Sequence, residues 1–216
     1  MKRSGHHVML AVPTRGCVNW QTVTRLEEAR DATPGLRPIV YQPGNLSVAL
    51  TRNRIVQRFL ATDCTTLIMV DDDVVPPPTF VEILDRPLGE FACVAIPHPM
   101  PHPQDPSRLI LTAYSQGDND LIPHDLEDGL NEVDAVATGC FAVSREALER
   151  LGHAPFRIAD DPDAPVKSDD FLFCADLKTA GFRIAAWWDG WCADHVSQVN
   201  LGALWERQHA GERSVR

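Results

Sequence analysis

Three consecutive aspartates, Asp71-Asp72-Asp73, follow the apolar run Thr66-Leu67-Ile68-Met69-Val70 and are followed in turn by Val74-Val75. Adjacent carboxylates repel one another, so a partly buried cluster calls for a cation. The apolar flanks predict a buried strand and a buried exit, which sets the cluster at a strand's C-terminal end and argues against a solvated acidic turn. Hard divalent ions such as Mg²⁺ and Mn²⁺ take carboxylate oxygens and often share their shell with phosphates. His195, in Trp191-Cys192-Ala193-Asp194-His195-Val196, offers an imidazole that can complete such a shell. His98 and His102 are rival ligands. They lie in residues 97–108, a stretch so rich in proline that it is expected to be an irregular loop, poorly suited to rigid geometry.

Ser168-Asp169-Asp170 supports two readings that can hold together. Serine is a good helix N-cap, and acidic residues in a first turn complement the helix dipole. One of the two carboxylates can also face a cleft as a general base. Arg52-Asn53 and Thr14-Arg15 fall on the side of the sheet where the aspartates emerge. They are either ligands for the base, ribose or phosphates of a nucleotide or ordinary surface polar residues. Trp187, Trp188 and Trp191 form either a stacking platform or terminal packing.

The elements that must position these groups can be read from periodicity. Residues 8–12, 37–41, 66–70 and 91–96 read as strands. Residues 20–30, 47–61 and 79–84 read as helices. The first helix is expected to bury Trp20, Val23, Leu26 and Ala29, and the second Val48, Thr51, Ile55, Phe59 and Leu60. Alternating strand and helix implies an α/β fold with a mostly parallel sheet and helices on its faces. Beyond the proline stretch the pattern turns α+β. Strands are expected at 109–114, 132–138 and 182–187, helices at 145–151 and 169–180, and a loop at 152–167. Neither an internal repeat nor a convincing linker divides the chain, so one domain over 1–216 is expected, closed by a tail at 201–216 in which residues 201–210 form a helix able to support self-association.

The 216 residues carry a formal charge of −10, which disfavours a broad nucleic-acid footprint and hence a nucleic-acid acceptor. No apolar run approaches the ~20 residues of a membrane span, and no signal-peptide pattern opens the chain. The six cysteines include no C-x-x-C pair and read as small buried hydrophobes in a reducing, cytoplasmic compartment.

The order of motifs resembles the GT-A fold nucleotide-sugar glycosyltransferases, close to the family 2 group and its small phage-type members. The matching stretches are Ala11-Val12-Pro13-Thr14-Arg15-Gly16, Ala49-Leu50-Thr51-Arg52-Asn53, Leu67 through Val74, Ala137-Thr138-Gly139-Cys140-Phe141-Ala142-Val143, Asp169-Asp170-Phe171-Leu172-Phe173-Cys174 with Ala180 through Ile184, and the final histidine. The resemblance implies a single Rossmann-like domain. A donor half spans about 8–100, and an acceptor and catalytic half about 109–200. It implies a UDP- or GDP-type sugar donor and Mn²⁺ or Mg²⁺ bound by Asp73 and His195, with Asp71 holding the ribose or the metal. Pro13, Thr14, Arg15, Arg52 and Asn53 would line the nucleotide pocket beside Asp71 and Asp72, and Gly139 would admit the donor sugar or acceptor. Asp170 matches the catalytic base of inverting members, whereas Asp169 stands where the family carries Glu. The acceptor and the stereochemical course stay open. Two rivals remain. One is a phosphatase of the haloacid dehalogenase type with Asp71 as nucleophile. The other is a catalytically inactive domain that binds a sugar nucleotide.

Overall fold

Seven successive residues of β1 (Val8–Thr14) and five of β3 (Thr66–Val70) are buried, the pattern of strands covered on both faces. The computed structural model describes residues 7–44, 47–102, 105–117, 120–158, 168–190 and 192–196. Between these two strands lie α1 (Trp20–Ala32), β2 (Val40–Pro43) and α2 (Val48–Leu60). β1 pairs in parallel with β2 on one side and β3 on the other, so all three end at one edge of the sheet. After β3 come β4 (Val74–Val75), α3 (Phe80–Asp85) and β5 (Cys93–Ala95).

Chain then accumulates at that same edge. β6 (Pro99–His102) and β7 (Asp105–Leu111) form an antiparallel ribbon, with Met100 opposite Ile110. This corrects the irregular loop expected at 97–108. Pro99 and Pro101 lie in a two-stranded ribbon, where a strand has a free side and a missing N–H is tolerated. β8 (Ala113–Gln116), β9 (Leu121–Pro123) and β11 (Ala135–Val136) make a small three-stranded sheet. β10 (Gly129–Val133) leaves it to join the main one. β12 (Cys140–Ser144) then re-enters between β3 and β5, antiparallel to both. Among the described residues no helix separates β5 from β12, so the chain returns from the edge where it left and cannot run parallel. α4 (Arg145–Leu151), α5 (Asp169–Thr179), β13 (Ile184–Trp188) and β14 (Asp194–His195) complete the order.

The main sheet runs β10-β13-β5-β12-β3-β1-β2 and is mixed, since β1–β2, β1–β3 and β5–β13 are parallel and the other three pairings antiparallel. Alternate residues of each strand supply two core layers. Met9, Ala11, Leu67 and Met69 meet Ile55, Phe59, Phe141, Phe156 and Phe173 on one face, while Leu10, Val12, Ile68 and Val70 meet Leu26, Phe80 and Leu84 on the other. Together these make a single α/β domain with helices on both faces of the sheet.

Two helix faces differ from expectation. In α1 the buried residues are Thr22, Leu26 and Ala29, and Trp20 is 72% exposed. The Thr22 hydroxyl donates to the Val74 carbonyl, which turns this face inward. In α2, Val48 is exposed, and Arg52 and Asn53 share the buried face with Ile55, Val56 and Phe59. Cys64, Cys93, Cys140 and Cys174 are buried free thiols, whereas Cys17 is exposed and Cys192 partly so. Among the described residues no helix is long and apolar enough to cross a membrane. The tail helix expected at 201–210, most of the loop at 152–167, and Trp191 lie outside the described residues.

Candidate functional site

A cleft of about 360 Å³ opens beyond the C-terminal ends of β1 and β3, the usual ligand position in an open α/β sheet. The topology explains what converges there. α2 follows a strand that ends at this edge, so its first turns lie there. β12 starts at the edge, which places Thr138 and Gly139. α5 leads into β13, which runs parallel to β5, so α5 begins at the edge with Asp169 and Asp170. β14 pairs with β4, with His195 opposite Val74, and this carries the last strand across to the aspartates.

The structure gives the three aspartates different sets of partners. Asp71 accepts from Arg52 Nη2 through both carboxylate oxygens, at 3.0 and 2.9 Å. Asp72, only 8% exposed, accepts the backbone N–H of Arg15 at 3.0 Å and so ties the loop after β1 to the end of β3. Its carbonyl accepts the N–H of Asn19 at 2.8 Å, which fixes the start of α1 to the same point. Asp73 stands at the mouth, with its Oδ2 3.5 Å from His195 Nε2 and 3.6 Å from Arg15 Nη2. Their three directions follow from the chain leaving a strand, where successive side chains face opposite ways.

Arg52 is 3% exposed and serves three carboxylates at once. Nη1 donates to Asp169 Oδ2 at 2.8 Å and to Asp170 Oδ1 at 2.9 Å. Nη2 donates to Asp71 and, at 3.3 Å, to the Thr138 carbonyl. The Thr138 hydroxyl donates to the same Oδ1 of Asp170. Burial opposes the arginine's charge, but Asp71, Asp170 and Asp169 together outweigh it and hold the guanidinium protonated. One cation shared among three carboxylates leaves them short of compensation. Burial pushes Asp71 up to about 6 against the pull of Arg52, and it raises Asp169 as well. Of the two acids at the start of α5, only Asp170 lines the cleft. Ser168 occupies the N-cap position, but its side chain makes no capping bond.

The other expected site residues divide clearly. Pro13, Thr14, Arg15, Asp71, Asp72, Asp73, Gly139 and His195 all line the cleft. Asn53 does not. Its amide donates to the Phe156 carbonyl at 2.7 Å and accepts the Phe156 N–H at 2.9 Å, pinning a loop 103 residues away. Arg52 lies beneath the cleft, against its acids. Trp187 and Trp188 sit in β13, separated from β3 by β5 and β12, and do not line the cleft.

His98 is the residue whose setting the sequence hid. It is 4% exposed, its N–H donates to Thr112 Oγ1 at 3.0 Å, and its ring meets that of His195 edge-on with centroids 5.1 Å apart. Burial, aided by His195, lowers its pKa to about 4, so the imidazole is neutral at pH 7. Gly139 makes room for it: a Cβ there would stand 2.6 Å from His98 Cε1. Thr138 was also missed as a functional group, although it lies inside the Ala137–Val143 stretch that carried the resemblance.

Among the described residues, no three His, Cys, Asp or Glu side chains are gathered into a ready metal cage. The groups present nonetheless fit a divalent ion held partly by substrate. Asp73 and His195 supply one carboxylate and one imidazole at a solvent-open mouth, and ions such as Mg²⁺ commonly take one or two protein ligands plus phosphate oxygens and water.

The fold recurs in solved structures. The crystal structure of A197 from STIV superposes with a TM-score of 0.60 at 19% identity, over 89% of this chain and 86% of that one. GalNAc-T7 with UDP, GalNAc and Mn²⁺ gives 0.57 at 11% identity, over 90% of this chain and 44% of its own length. CMP:2-keto-3-deoxy-manno-octonic acid synthetase complexed with CTP gives 0.51 at 11%, over 96% of this chain and 99% of that one. The chain has a GT-A-like fold. No family model and no curated protein matches its sequence, so the likeness is one of architecture. Within this GT-A-like frame the cleft occupies the C-terminal edge of the parallel strands.

Proposed function

We propose that the chain is a metal-dependent glycosyltransferase that moves a sugar from a nucleoside-diphosphate sugar, of UDP or GDP type, to an acceptor hydroxyl. The carrying observation is that Asp170 and the Asp73–His195 pair open onto one cleft. The shared architecture supports it, since GalNAc-T7 adopts this fold around UDP, GalNAc and Mn²⁺. The nucleoside lies between Pro13–Arg15 and the start of α2, where Gly44, Ser47 and Thr51 form the opposite wall. The diphosphate reaches the mouth, where the exposed Arg15 side chain meets its charge beside Asp73 and His195. Asp73 and His195 would hold Mn²⁺ or Mg²⁺ there, which would supply positive charge against the leaving diphosphate. The sugar sits toward Gly139, where the missing Cβ lets the buried, neutral His98 form a close wall. Asp170 receives the acceptor proton in an inverting reaction. In a retaining one it orients a substrate hydroxyl.

A phosphatase reading finds less support. It needs a free Asp71 oxygen as nucleophile, and both are engaged by Arg52. The test is release of nucleoside diphosphate from a panel of nucleotide sugars with Mn²⁺, in parallel with calorimetric binding of the same donors. Release from one donor by wild type, with binding kept and release lost in Asp170→Asn, is expected. Equal release by the variant sinks the assignment of the base.

A further inference from the structure

The Asp170 carboxylate is held asymmetrically. Both hydrogen bonds that it takes from described side chains, from Arg52 Nη1 at 2.9 Å and from the Thr138 hydroxyl, fall on Oδ1. Oδ2 takes none from the described residues, although the side chain lines the cleft. We infer that Arg52 and Thr138 are the positioning clamp of the base: they fix Oδ1 and turn Oδ2 toward the acceptor hydroxyl. The inference rests on the transferase reading above. In the step it serves, the acceptor oxygen bonds to the anomeric carbon and its proton passes to Oδ2. The bond from that carbon to the phosphate oxygen breaks, and its electron pair leaves with the nucleoside diphosphate.

Arg52 is suited to this task by shape as much as by charge. Its four Nη hydrogens are all engaged, two by Asp169 and Asp170 and two by Asp71 and the Thr138 carbonyl. A planar guanidinium fixes the directions of these bonds, which a lysine ammonium on a flexible stem does not. One rigid group therefore sets the spacing between the donor-side triplet and the acceptor-side base, and attack geometry depends on that spacing. Stability is a poor explanation for the arrangement. Three carboxylates share one buried cation, its Nε is buried without a partner among the described residues, and such buried ionic clusters are often no more stable than apolar packing. The resemblance implied a place for Arg52 in the nucleotide pocket. The contacts assign it to the base.

The test compares Arg52→Lys and Thr138→Val with wild type, measuring kcat, the donor KM and Mn²⁺-dependent donor binding by calorimetry. Misplacing a reacting group by about 1 Å can cost on the order of 10²-fold in rate. Arg52→Lys is therefore expected to lose roughly 100-fold in kcat with donor KM and binding within about threefold of wild type. Thr138→Val, which keeps every charge, is expected to lose roughly tenfold in kcat with KM unchanged. Should Arg52→Lys fail to fold, Thr138→Val carries the test alone. A rise in donor KM with kcat unchanged overturns the inference and returns Arg52 to the nucleotide pocket. So does an unchanged kcat in Thr138→Val. A wild type that turns over no donor overturns the transferase reading, and an active wild type with unaffected variants overturns the clamp alone.

Discussion

Replacing Gly139 with alanine puts one methyl group where the site has no room for it. The new Cβ would lie 2.6 Å from His98 Cε1, 3.0 Å from its Nδ1 and 3.3 Å from Val74 Cγ2, whereas ordinary contact begins at 3.4 Å. The imidazole would have to retreat by roughly 0.8 Å. It is ill placed to do so, because its backbone is tied to Thr112 Oγ1 and its ring already meets His195. Strain therefore passes to His195 and to its 3.5 Å approach to Asp73. Overpacking a closed site costs about 1–3 kcal/mol. At roughly 2–4 °C per kcal/mol for a domain of this size, Tm should fall by about 2–12 °C. Scanning calorimetry measures that loss, and calorimetric titration with Mn²⁺ and donor should show weaker metal-dependent binding. Gly89→Ala is the control, since nothing lies within 4 Å of its added Cβ. If Gly139→Ala melts and binds like Gly89→Ala, the reasoning about a packed His98 wall is refuted.

Three further outcomes follow from the same contacts. Asn53→Ala removes both hydrogen bonds to the buried Phe156 backbone, and stranded buried groups cost about 1–3 kcal/mol each. Urea unfolding should show a loss of roughly 2–6 kcal/mol, and a loss below about 1 contradicts the pinning role. His98 binds its proton near pH 6.5 when unfolded but only near 4 when folded, so its contribution is complete above pH 6.5 and is lost as pH falls toward 4. A shift of this size corresponds to about 3 kcal/mol. His98→Phe, which keeps a ring but cannot titrate, should therefore gain about that much on wild type between pH 7 and pH 4, and parallel stability profiles would contradict it. Asp71 and Asp169 work in the opposite sense, losing stability as pH rises above the normal carboxylate range, so the comparison must be made against the variant and not read from wild type alone. Asp170→Asn should lower turnover by roughly 10²–10⁴-fold with donor binding intact, measured by product release and calorimetry.

The parts legible in the sequence are those written in local pattern. The continuous apolar runs of β1 and β3 announced buried strands, and the acidic triplet after the second marked the edge where the cleft lies. Asp73 and His195, 122 positions apart, were joined by ligand chemistry and the resemblance with no local pattern to link them, and β14 brings them together by lying against β4. The resemblance sent Arg52 and Asn53 to the nucleotide pocket, and the structure buries both on the inner face of α2. The acids of α5 that Arg52 holds and the Phe156 backbone that Asn53 holds lie more than 100 residues away and leave no local trace. Pro99 and Pro101 sit instead in a ribbon that tolerates missing donors, and so His98 was assigned to an irregular loop when it is buried. Nor could composition reveal that the adjacent acids divide among Arg52, the Arg15 backbone and His195, because that division arises from the direction of each side chain at the strand's end.

The most direct test of the central claim is a thermal-shift series with UDP, GDP, CDP, dTDP and ADP sugars, each with and without Mn²⁺, on wild type and Asp73→Asn. The account predicts stabilisation by one nucleotide class only when Mn²⁺ is present, abolished in the variant. No shift with any donor, together with phosphate release from simple phosphoesters, would contradict it.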